Sequence, residues 1–192
     1  MLIEHFTAKA NAKTAVFKAG YIWAGNGIFR SASRTEFKAV VLHDPVKTPG
    51  LRLLKQDFQL LVPPLPEPKV RTIIEKIKKY PNLEQLFYLY WKGNQWEVVY
   101  PEQECTPNTC ISLETYPEPA VIEIHSHGSM NAFFSVTDNR EETGFRVSSV
   151  IGRNQKGLEI ISRVCVHGLF LPISSNLLYN QIDKYCSHAT SL

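Results

Sequence analysis

The sequence predicts an α/β protein of the α+β kind, in which a β-rich front piece precedes a mixed domain. Three observations predict it. Segments rich in β-branched and aromatic residues recur from residue 15 onward, set off by glycine and proline turn signals. One stretch, 70–80, carries apolar residues at helical spacing. A later segment, AVIEIHSH at 120–127, has the β-branched density of a strand and bears two histidines.

The elements follow in order. Residues 15–24 (AVFKAGYIWA) read as a strand that turns at Gly25-Asn26-Gly27 and returns as 28–34 (IFRSASR). Residues 37–42 (FKAVVL) form another, ended by His43-Asp44-Pro45, and 58–62 a further one. Pro63-Pro64-Leu65-Pro66-Glu67-Pro68 continues neither a strand nor an internal helix. It reads as a linker between a β-rich segment, 1–66, and a second domain, 69–192. A polyproline ligand for a partner is the competing reading. Residues 70–80 (VRTIIEKIKKY) make an amphipathic helix with Val70, Ile73, Ile74 and Ile77 as its apolar stripe and the lysines on a solvated face. Pro81-Asn82 stops it. Residues 83–91 and 96–100 form a hairpin about Lys92-Gly93-Asn94, with Trp91 and Trp96 as a cross-strand pair. A loop with Pro101, Pro107, Pro117 and Pro119 leads into the histidine strand. A short helix near 138–143 and strands at 145–151 and 158–173, the last broken near Gly168, complete the chain.

Composition narrows the function. A chain of 192 residues with 44% hydrophobic and 11% aromatic residues has ample material for a packed core. No apolar run approaches the roughly 20 residues that span a bilayer, and MLIEHFTAKANAK has no secretory pattern, so the expected location is cytoplasmic. The net charge of +3 is spread along the chain, which argues against a dedicated nucleic-acid binder. Cys105, Cys110, Cys165 and Cys186 form no C-x-x-C pair and are expected to be ordinary thiols; metal ligation by Cys105 and Cys110 is the alternative.

The chemistry concentrates in 123–138, EIHSHGSMNAFFSVTD. Residues two apart on a strand share a face about 6.5–7 Å from one another, so His125 and His127 can converge on one ion. A third ligand must return from elsewhere, and the loop from Gly128 to Phe134 can bring back Asp138. Two imidazoles and one carboxylate leave the fourth tetrahedral position open, the pattern of a catalytic rather than a structural zinc. The competing readings are plain: polar strand histidines, a helix cap at Asp138 and a turn or cap serine at Ser135. Met130, Phe133 and Phe134 either line a groove or pack the loop. His167 reads as a core or surface histidine in a C-terminal strand rather than a ligand.

The spacing H-S-H-x7-S-x2-D resembles the JAMM (MPN+) signature of the JAB/Mov34 zinc metallopeptidase family. That resemblance implies a JAB/MPN domain, a cytidine-deaminase-like mixed sheet flanked by helices, with Zn2+ held by His125, His127 and Asp138 and the oxyanion stabilised by Ser135. It also implies a glutamate after the first helix as general base and acid, and Glu84 stands at that place, with Glu102 and Glu104 as fallbacks. The chain departs from the family at Phe87 and Tyr88, where small glycines are usual, and at Gly128, where proline is common. The stretches AGNGIF, HSHGSMNAFFSVTDNREETGFR and VIGR resemble the protein A branch of bacterial PRTRC systems, clusters that also encode E1-like and ubiquitin-like components. The implied activity is hydrolysis of a peptide or isopeptide bond, at the tail of a ubiquitin-like protein or its conjugate, with an E1-like partner by analogy. A non-catalytic MPN-type scaffold and a DNA-associated module of the RadC kind are the rival readings.

Overall fold

The computed structural model describes residues 3–5 and 17–188, so Ala15 and Val16 of the first expected strand lie outside the described residues. The chain is mixed α/β with many strands and few helices, and it divides into two compact units.

The first unit holds the described residues up to Pro63 together with Arg140–Phe145 and Val164–Leu171. Its sheet is a meander in the order β1 (Ile3–His5), β2 (Phe17–Ala24), β3 (Gly27–Arg34), β4 (Phe37–Asp44) and β5 (Asp57–Leu60). Alternation along β4 buries Phe37, Ala39 and Val41 on one face, which Ala32 of β3 shares as the register partner of Ala39. The Phe37 ring packs against Phe58 and Phe145, with centroids 5.8 and 4.5 Å away. A buried Arg34–Glu36 pair at 2.7 Å spans the β3–β4 turn.

The second unit holds Pro64–Asn139, Arg146–Arg163 and the described residues from Pro172 onward. Helix α1 (Glu67–Lys79) starts three residues earlier than the apolar spacing predicts, because Pro66 caps it and a proline fits its first turn. The late prolines of the expected linker therefore belong to a helix start. Strands β6 (Gln85–Lys92) and β7 (Gln95–Val99) form the hairpin, turning at Gly93 and Asn94 with φ of 55° and 62°. Trp91 and Trp96 face each other across it, centroids 5.4 Å apart. Next come β8 (Gln103–Cys105), β9 (Cys110–Ser112), β10 (Ile122–Ser126) and α2 (Val136–Glu141). The remaining strands are β11 (Phe145–Asn154), β12 (Gly157–Val166), β13 (Leu169–Ile173) and β14 (Cys186–His188). The main sheet runs β13-β12-β11-β10-β6-β7, with β14 beside β12. Strand β10 is central, parallel to β11 and antiparallel to β6.

The helix decides which face of β10 is chemical. Val70, Ile73 and Ile74 line one apolar interior with Ile124 of β10, Ile151 of β11 and Ile160 of β12. Burying each such side chain contributes about 1.5–3 kcal/mol. With Ile122 and Ile124 turned to α1, alternation turns Glu123 and His125 to the opposite face.

Two expectations are corrected here. Cys105 and Cys110 are not separate thiols: they are register partners in the β8–β9 ribbon, with Cα atoms 4.2 Å apart and the sulfurs joined as a disulfide. His167 does not lie in a strand but in the two-residue turn between β12 and β13, at φ 52°. Among the described residues, no helix is long and apolar enough to cross a membrane.

Candidate metal centre

The three expected ligands come together. One ligand atom each from His125, His127 and Asp138 lies within 4.8 Å of the others, so this group can hold a metal ion. His125 Nε2 stands 3.2 Å from His127 Nε2 and 3.6 Å from Asp138 Oδ1. Two ligands about 2.05 Å from one tetrahedral ion stand about 3.3 Å apart, close to both separations.

Each ligand is aimed by a neighbour. His127 follows the end of β10, where its N–H still donates to Ile151 O at 2.9 Å. Its Nδ1 lies 3.1 Å from Asn131 O; donation to that carbonyl puts the proton on Nδ1 and leaves Nε2 a lone pair for an ion. The exposed Phe133 ring stands edge-on to His127, centroids 4.5 Å apart. Asp138 works in two directions. Its Oδ2 accepts the Ser135 N–H at 2.6 Å, while the Asp138 N–H donates to Ser135 Oγ at 3.1 Å, a reciprocal cap on α2. Ser135 thus serves as a cap, whereas Asp138 is not the N-cap of the competing reading but the third residue of α2, and its Oδ1 faces His125.

The loop bearing these residues is fastened to β11 and β12. Gly152 lets it approach: a Cβ there would meet Ala132 N at 2.1 Å and Asn131 C at 2.3 Å. Arg153 N–H donates to Met130 O at 2.6 Å. The buried Glu159 carboxylate accepts the Ala132 N–H at 2.8 Å and Asn154 Nδ2 at 2.6 Å. Phe134 packs on Ala132, Val150 and Ile161, and the Arg163 guanidinium lies 3.7 Å from its ring centroid while bonding Asn139 Oδ1 at 2.5 Å. Of the three loop residues with open roles, Phe134 packs the loop, Met130 ties its backbone, and Phe133 alone is exposed beside the site. Gly152, Glu159 and Arg163 escaped the sequence reading because they support the loop from strands well downstream, and no local motif marks them.

Glu84 sits immediately before β6 and is buried. Burial, with a smaller contribution from the Asp138 carboxylate, pushes its carboxyl up to about 7. Its N–H donates to Thr106 O at 3.0 Å. Gly128, at φ 52°, lies against the adjacent backbone, where a Cβ would stand 3.2 Å from Asn82 C. The fallback Glu102 and Glu104 are both exposed. Burial holds the His125 imidazole well below the ordinary histidine range against the pull of Asp138, with His127, Arg163 and Arg146 adding to the fall. Burial lowers His127 too. Both rings are therefore neutral near pH 7, the form that ligates metal. His167 is not part of the group.

No protein-family model matches the chain, and no curated protein matches it.

Proposed function

We propose that this chain is a zinc-dependent metallopeptidase with a JAB/MPN domain, hydrolysing a peptide or isopeptide bond. The observation that carries the reading is the convergence of His125, His127 and Asp138 with an uptitrated, buried Glu84 whose carboxyl senses Asp138. The donor set favours zinc: imidazole nitrogen with one carboxylate and no thiolate in the group is the pattern of open catalytic sites. When bound, zinc supplies a Lewis acid and lowers the pKa of water towards about 7.

The chain's own residues do the rest. Glu84, with a carboxyl near 7, takes a proton from the attacking water and returns it to the leaving amine. Ser135 Oγ accepts the Asp138 N–H, and its own proton is the donor offered to the developing oxyanion. Phe133, exposed against His127, offers an apolar wall to the substrate chain. The substrate class, the tail of a ubiquitin-like protein or its conjugate with an E1-like partner, rests on the sequence resemblance.

The test compares wild type, His127→Ala and Glu84→Gln for zinc content and for hydrolysis of a ubiquitin-like tail peptide. The reading expects hydrolysis by wild type alone, and zinc retained in Glu84→Gln. Equal, barely measurable rates in all three would leave the scaffold reading in its place.

A further inference from the structure

We propose that the β8–β9 ribbon is the positioning element for Glu84, and that the Cys105–Cys110 bond sets how firmly it holds. This rests on the reading of Glu84 as the proton-transfer group.

Strand β7 pairs with β6 only from Tyr88 onward, where Val99 is its last partner. The start of β6 thus extends past β7, and its edge needs other partners. The ribbon supplies them. Gln103 Oε1 accepts the Leu86 N–H at 2.8 Å, and Gln103 Nε2 donates to Leu86 O at 3.3 Å and Pro101 O at 3.2 Å. Two residues back, Thr106 O accepts the Glu84 N–H at 3.0 Å. Thr106 opens the loop between Cys105 and Cys110, which is closed by Thr106 N–H to Thr109 O at 2.8 Å and by the two threonine hydroxyls at 2.8 Å. The disulfide closes the same loop covalently, so the carbonyl that holds Glu84 sits within a cross-linked ring.

Both sulfurs also lie against Gln103 Oε1, Cys105 at 3.2 Å and Cys110 at 2.7 Å. In the disulfide neither sulfur carries a proton, so that oxygen serves the Leu86 N–H. Both cysteines are half-buried, within reach of a small thiol. A low-molecular-weight dithiol acts by ordinary exchange. Its thiolate attacks one sulfur, the Cys105–Cys110 bond breaks, and the second thiol displaces the mixed disulfide. Two electrons and two protons end on Cys105 and Cys110, and the dithiol becomes a disulfide. The two new S–H groups then compete with Leu86 N–H for Gln103 Oε1, and the loop at Thr106 loses its covalent closure.

The experiment uses the full zinc-loaded chain, air-oxidised and then reduced with dithiothreitol, beside Cys105→Ser/Cys110→Ser. Amide exchange of residues 84–86 is the primary readout, with alkylation counting thiols and metal analysis tracking zinc. Reduction is expected to raise exchange at Glu84 and Leu86 about five- to tenfold, the loss of roughly one net hydrogen bond. Tail-peptide kcat is expected to fall several-fold with KM and zinc unchanged, and the double variant to match the reduced protein while ignoring the dithiol. Unchanged exchange between the two forms, or free Cys105 and Cys110 thiols after air oxidation, would overturn the proposal. A change in exchange with no hydrolysis in either form would retain the clamp and reject the peptidase reading instead.

Discussion

Replacing Gly152 by alanine puts a methyl group where the metal loop crosses β11. The added carbon would stand 2.1 Å from Ala132 N, 2.3 Å from Asn131 C and 2.6 Å from Met130 O, all backbone atoms with no rotamer to escape through. Ordinary contact begins near 3.4 Å, so the loop must retreat by more than 1 Å. A retreat of that size takes the Ala132 N–H off Glu159 and Asn131 O off His127 Nδ1, bonds of 2.8 and 3.1 Å. Overpacking costs about 1–3 kcal/mol and each of the two lost hydrogen bonds about 1, so Gly152→Ala is expected to lose about 3–5 kcal/mol. In a protein of this size that lowers Tm by roughly 6–20 °C. Loosening the partner of a ligating histidine lowers metal affinity about 10–100-fold. Thermal unfolding and chelator competition for zinc read the two effects. Gly144→Ala, where an added Cβ meets nothing within 4 Å, is the control and should change neither. A Gly152→Ala protein that melts with wild type and binds zinc equally well would refute the seating of the loop on β11.

Glu84 gives a pH prediction. Its folded carboxyl, near 7, lies above its ordinary value of 4.5, so between these values the unfolded chain ionises while the folded one stays protonated. The zinc-free protein should therefore lose stability as pH rises through 4.5–7, and Glu84→Gln should flatten that slope in Tm measured from pH 4 to 8. Glu159→Gln removes the charge from an acceptor that holds both Ala132 N–H and Asn154, and should cost about 1–3 kcal/mol in urea unfolding with m unchanged. Gly128→Ala forces a side chain into φ 52° beside the Asn82 backbone. It should cost about 1–2 kcal/mol and lower kcat on the tail peptide, since the strained contact lies two residues from Glu84.

The strands were legible where one face is buried: β4 alternates, and the stripe of α1 is the set Val70, Ile73, Ile74 and Ile77 that the structure buries. The histidine spacing was legible for the same reason, since β10 turns alternate residues to opposite faces. The three-residue strands β8 and β9 were not, because QEC and CIS sit among prolines and carry no period. They pair only with each other, and the ribbon's ties to Leu86 and Glu84 run from Gln103 and Thr106, contacts that no local pattern shows. Nor could local patterns show that Arg140–Phe145 and Val164–Leu171 group with the front sheet, which depends on packing such as Phe145 on Phe37. The break in the last strand was placed correctly near Gly168, but the turn also takes His167 into a left-handed conformation that favours glycine.

The most direct test of the central claim is the metal content of the purified chain beside His127→Ala, after dialysis against metal-free buffer. Wild type should carry near-stoichiometric zinc and the variant should lose it, because Nε2 of His127 stands 3.2 Å from that of His125 at the heart of the group. No bound metal in either protein, even after zinc is added back, would contradict it.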